Sequence, residues 1–181
     1  MFYARFRQLA LAGIFLTAAS AAGAASQGSL GSTSTGTVSV SASVPNRVNL
    51  SGLSDVAFTN QDPASAASNA QDVCVWSNTS TKGYHVTASG DGTAGAFTLK
   101  NGSLTVPYSV EWSGTSGQTS GTALTSGTAL TGLTSTAVNP TCSSGPSATA
   151  SLIVGIAATD LQTMQASTSY TGILTLVVAP E

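Results

Sequence analysis

Between Ser103 and Trp112 the chain reads SLTVPYSVEW, with Leu104, Val106, Tyr108, Val110 and Trp112 at every second position. Successive side chains of an extended chain point to opposite faces, so this run has one apolar face that must lie on a core. A helix would scatter the same five residues around its axis. The two-residue period recurs in GTVSVSASVP (Val38, Val40, Ala42 and Val44), DVCVWS (Cys74 and Trp76) and YHVTA (Tyr84, Val86 and Ala88). It recurs again in SATASLIVGIA (Ala148 to Ile156) and SYTGILTLVVAPE (Tyr170, Gly172, Leu174, Leu176 and Val178), and Val48 to Leu53 is a further short strand. About seven strands, Gly-rich turns and no long amphipathic helix predict an all-β, Ig-like sandwich.

Punctuation between the strands is equally local. Asp91-Gly92 and Asn101-Gly102 offer tight turns, the second leading into SLTVPYSVEW. Pro107 cannot donate to a ladder and predicts a sheet edge or a bulge. Thr59 to Ala70 reads as loop with one helical turn. The hexapeptide SGTALT occurs at Ser120–Thr125 and again at Ser126–Thr131, and two copies are too few for a solenoid, so strand-turn-strand is expected. Leu161 and Met164 stand at helical spacing in a connecting segment, which predicts one turn under the sandwich edge. Tyr170, entering the last strand, is placed for a tyrosine corner.

The first residues carry Arg5 and Arg7, then an apolar run from Leu9 to Ala22 and an Ala22-Gly23-Ala24 cleavage pattern. Residues 1–24 therefore read as a signal peptide and the remainder as exported. Without them the formal charge is three basic residues (Arg47, Lys82, Lys100) against seven acids, or 3 − 7 = −4, so no positive groove for nucleic acid exists. In an oxidising compartment the even pair Cys74 and Cys142 is most simply a disulfide, worth on the order of 4 kcal/mol by chain entropy. Ser26 to Gly36 has the composition of a flexible leader.

Catalytic chemistry finds no foothold. The one histidine, His85, lies on the strand face opposite Tyr84 and Val86. No serine stands in a nucleophile-elbow pattern, and two thiols with one distant His make no metal shell, so no cofactor is expected. Glu111 beside Trp112 reads as a solvated edge and not half of a glycosidase pair. Asn78-Thr79-Ser80 and Asn101-Gly102-Ser103 match the N-glycosylation pattern, which Ser/Thr-rich chains produce by chance. Trp76, Tyr84, Tyr108 and Trp112 on the apolar parity read as core ahead of a sugar-binding surface.

Three segments together, TVSVSASVP near the exported N-terminus, VPYSVEW in the middle and YTGILTLVV at the C-terminus, resemble the chaperone-usher fimbrial subunits of Gram-negative bacteria, most closely the α-fimbrial, CFA/I-like major pilins. The resemblance implies an incomplete Ig-like domain (45–181) lacking its last strand and an N-terminal extension (25–44) that fills the groove of another subunit. Donor positions would be Val38, Val40, Ala42 and Val44. Leu174, Leu176 and Val178 would border the acceptor groove, and the terminal carboxylate of Glu181 would be where a periplasmic chaperone anchors. It further implies other copies or related subunits, a chaperone and an outer-membrane usher as partners, a host or surface receptor, and the cell surface as destination. The cysteine pair and the long leader depart from the α-fimbrial pattern. The residues also admit a second reading, in which GTVSVSASV is the first strand of its own closed sandwich and the protein is a monomeric secreted carbohydrate- or protein-binding module.

Overall fold

The protein is described by a computed structural model in which residues 24–181 are placed. The signal peptide read at 1–24 thus lies, but for Ala24, outside the described residues. The chain divides into two units at Val44/Pro45.

Residues Pro45 to Glu181 form an antiparallel all-β, Ig-like fold. The first sheet has the order β1 (Val48–Ser51), β2 (Ala67–Ser77), β9 (Ala150–Ile156), β6 (Ser109–Ser113) and β7 (Thr122–Ala123). The second has the order β10 (Leu174–Pro180), β3 (Gly83–Gly90) and β8 (Ala129–Thr134), and β4 (Thr98–Asn101) with β5 (Leu104–Pro107) forms a separate hairpin. One core lies between the sheets: Val73 and Val75 from β2, Tyr84, Val86 and Ala88 from β3, Val110 and Trp112 from β6, and Leu152, Val154 and Ile156 from β9. Its two largest buried side chains meet where Trp112 Nε1 donates to Tyr84 Oη at 3.3 Å, which satisfies the indole N–H.

Several strands depart from their sequence reading for identifiable reasons. The alternating run from Leu104 to Trp112 is split at Pro107: β5 pairs with β4, whereas β6 pairs with β9 and β7. Pro107 ends the first ladder opposite Thr98, where a missing donor does least harm. Ala67 to Ala70, expected as loop, is the start of β2 and pairs with Ile153 to Ile156, because a long partner strand overrides weak local propensity. On β2 the inward row is Val73 and Val75; Cys74 and Trp76 face outward into a second small cluster with Ala137 and Cys142. The Cys74–Cys142 disulfide is formed, with an S–S distance of 2.04 Å. It straps the 135–149 loop onto β2, and Ser135 Oγ and Thr149 Oγ1 both donate to the Val75 carbonyl beneath it.

Two small expectations are met. The segment before β10 carries one helical turn, α1 (Ala158–Leu161), with Leu161 buried and Met164 packed against the core. Tyr170 Oη accepts the Gln165 amide at 3.1 Å, five residues upstream, in the manner of a tyrosine corner.

In the unit ending at Val44, residues 38–44 belong to no strand. The leader, read as flexible, is closed on itself at one point: Ser26 and Thr37 exchange backbone hydrogen bonds of 2.9 and 3.1 Å, and their hydroxyls meet at 2.6 Å.

Candidate functional site: an open strand slot

The path of the chain after β1 creates the site. β1 runs antiparallel to β2 as far as Ser51, and Gly52 then takes φ 84°, a conformation that L side chains rarely adopt. This turns the chain away from β2. Residues 52–59 continue without secondary structure and without one backbone–backbone hydrogen bond, although Val56 and Phe58 still reach the core. Only a side chain holds this stretch to β2: Gln71 Oε1 accepts the Ser54 amide at 2.7 Å and Gln71 Nε2 donates to the Ser54 carbonyl at 3.0 Å.

The facing border is β10. It pairs with β3 along its full length, Leu174 opposite Gly90 to Pro180 opposite Tyr84, and has no hydrogen-bonded strand on its other edge, although β1 is in contact with it. Between that edge and residues 53–61 lies a groove of about 1270 Å³. Leu152, Val154 and Ile156 of β9, Leu99 and Tyr108 line it, with Leu174 and Leu176 from β10 and Leu161 and Met164 from the connection before it. Leu53 and Ile173, at its mouth, are exposed large apolar side chains. At its foot Thr171 exchanges backbone hydrogen bonds with Lys100 of β4, at 2.8 and 2.9 Å, which ties the connection before β10 to the β4–β5 hairpin.

An apolar groove bordered by a strand edge without a hydrogen-bonded neighbour has the chemistry to take an extended peptide: such an edge offers main-chain donors and acceptors, and an apolar floor can take alternate apolar side chains. The hydroxyl of Tyr108 is buried and has no hydrogen-bond partner among the described residues; burial, then the nearby Asp91 charge, holds it above the ordinary tyrosine range.

The residues singled out from sequence are distributed as follows. Leu174 and Leu176 line the groove, while Val178 packs on the core beyond it. Glu181 is exposed, with Oε2 accepting the Gly132 amide at 2.9 Å and Oε1 lying 3.5 Å from His85 Nδ1 on the outer side of the second sheet. Val38, Val40 and Val44 are 75%, 89% and 80% exposed, and Ala42 between them is exposed as well. Glu111 closes the β6–β7 turn by accepting the Gly121 amide at 2.8 Å. Asn78 accepts the Arg47 amide and donates to the Pro45 carbonyl, so it anchors the chain just past Val44. The sequence reading missed the 52–59 border and Gln71. The one available signal is Gln71 itself, a polar residue in the inward row of Val73 and Val75.

Among the described residues no group of acidic, His or Cys side chains could hold a metal ion, and no helix is long and apolar enough to cross a membrane. No family model and no curated protein matches the chain. Among solved structures it is similar to a chain from a chaperone–tip adhesin complex described as vital for synergistic activation of CFA/I fimbriae biogenesis, with a TM-score of 0.47 and 16% identity. That match covers 75% of this chain and 41% of the other, so this chain spans less than half of its neighbour's length.

Proposed function

We propose that the protein is a structural subunit of a bacterial surface fimbria, assembled head-to-tail by insertion of residues 38–44 of one copy into the groove of the next. The observation that carries this reading is that one chain has both an open apolar groove and an exposed alternating run that is in no strand. β10 has no hydrogen-bonded neighbour on its outer edge and lines the groove with Leu174 and Leu176, and Val38–Val44 supplies seven alternating residues, about 23 Å long when extended. Burying each valine in the groove contributes roughly 1.5 to 3 kcal/mol, with main-chain pairing added. A strand that leaves one copy to complete another makes a heterologous contact that need not close, which is the condition for a filament. Before assembly the open groove calls for a chaperone in the periplasm, and an usher would order the additions. On this reading the chain carries out no catalytic step and binds no cofactor.

The test is complementation in trans. A synthetic peptide spanning Ser32 to Val44, added to the chain lacking residues 25–44, should raise its thermal midpoint in a concentration-dependent way. The same peptide with Val40→Asp should not, since it would carry an unpaired carboxylate into an apolar groove. Equal behaviour of the two peptides would sink the proposal.

A further inference from the structure

An empty apolar groove should collapse, because closing it would remove apolar surface from water. The bracket formed by Gln71 on Ser54 opposes that closure. Its two hydrogen bonds, 2.7 and 3.0 Å, satisfy both main-chain groups of Ser54 as a neighbouring strand would, at the point where Gly52 has already turned the chain away from the β1–β2 ladder. Residues 55–59 beyond the bracket make no backbone–backbone hydrogen bond, so Ser54 is the last point at which the main chain of this border is tied to β2, and beyond it Val56 and Phe58 hold on by packing against the core. Gln71 also stands where a third apolar residue would be expected in the row of Val73 and Val75, and it lines the groove. An apolar residue there would pack on the core but leave the amide and carbonyl of Ser54 without this partner.

We infer that Gln71 is a positioning residue that keeps the groove open and ready to accept a strand, by holding residues 53–59 against β2 and apart from β10. The inference rests on the strand-acceptor reading given above. Gln71 does not select the strand by contact; it sets the width available to it. Losing the bracket lets residues 53–59 drift toward β10, so an incoming strand must first displace them, and the loss falls on the association rate.

The experiment uses the chain from residue 25 to 181 carrying Val40→Asp, so that its own extension does not compete, and a fluorescent peptide spanning Ser32 to Val44 whose binding is followed by anisotropy. Gln71→Ala should weaken binding tenfold or more, mostly through slower association, while the thermal midpoint without peptide stays within about two degrees. Gln71→Glu keeps the acceptor for the Ser54 amide and loses the donor to its carbonyl, so it should fall between. Equal association rates for Gln71→Ala and its parent would overturn the inference while leaving the strand-acceptor reading intact. Failure of the parent itself to bind the peptide would overturn both. Should Gln71→Ala not fold, hydrogen exchange in the unsubstituted chain decides: the Ser54 amide should be protected relative to those of Val56 and Ala57, and equal exchange would refute the bracket.

Discussion

Two seven-residue stretches of this chain, Val38–Val44 and Leu174–Pro180, both place apolar residues at every second position and meet opposite fates. The second, β10, is paired to β3 on one edge and packs Leu174, Leu176 and Val178 against the core. The first belongs to no strand and exposes its valines. Alternation gives a chain two faces; it does not supply a neighbour. A strand becomes stable only when its polar main chain is paired and its apolar face covered, and here the body holds an apolar groove beside β10 while the extension holds an alternating run that is in no strand.

If the run fills the groove of another copy, as proposed above, the largest expected effect comes from removing it. Deleting residues 25–44 should abolish every species larger than a monomer in size-exclusion chromatography and electron microscopy. In the full chain Val40→Asp should do nearly the same, whereas Ser41→Asp, on the opposite parity, should leave assemblies in place. Smaller but still large is the cost of breaking the covered partner. Trp112→Ala, at the centre of the core, should lower stability by about 3 to 5 kcal/mol in denaturant unfolding, and Val40→Ala should leave the midpoint of unassembled protein unchanged. Replacing both cysteines with serine should remove about 2 to 5 kcal/mol, by freeing the strap over Val75.

The smallest effect is electrostatic. Asp72 Oδ1 accepts the Gly117 amide at 2.6 Å and the Ser151 hydroxyl at 2.7 Å, and these bonds, the Gly117 one first, lower its pKa below the usual aspartate value. The carboxylate form is therefore favoured in the folded state. Its contribution to stability is fully present above the unfolded aspartate pKa of about 3.9 and is lost as pH falls through the lower folded value. Asp72→Asn should flatten the acid limb of stability against pH slightly, measured by unfolding between pH 2 and 5; a limb identical to that of the unsubstituted protein would remove Asp72 from the account.

Much of the body was legible from local pattern. The inward rows of β3, β6 and β9, the Asn101-Gly102 turn, the cysteine pairing and Tyr170 all follow from period, turn chemistry and count. The groove was legible on one side only. Leu174 and Leu176 stand in a long alternating run, but the opposite border has just Val56 and Phe58 before the pattern stops, too few for a period to register. What ties the main chain of that border to β2 is one side-chain amide 17 residues away in sequence, on Gln71, and no local rule links it to Ser54.

The hexapeptide SGTALT marks the limit of what the sequence by itself determined. Both copies are alternating and turn-flanked, and both become strand in part. Yet Thr122–Ala123 pairs with β6 in the first sheet, while Ala129–Thr134 pairs with β3 in the second. Identical residues cannot encode different sheets locally. Sequence determined the extended conformation, the apolar face and the turns, because these depend on neighbours along the chain. The tertiary structure decided which ladder each copy joins, how Pro107 divides one run between two ladders, and that an apolar groove stays open beside β10. Those outcomes depend on which distant main-chain groups arrive to pair, and on which none do.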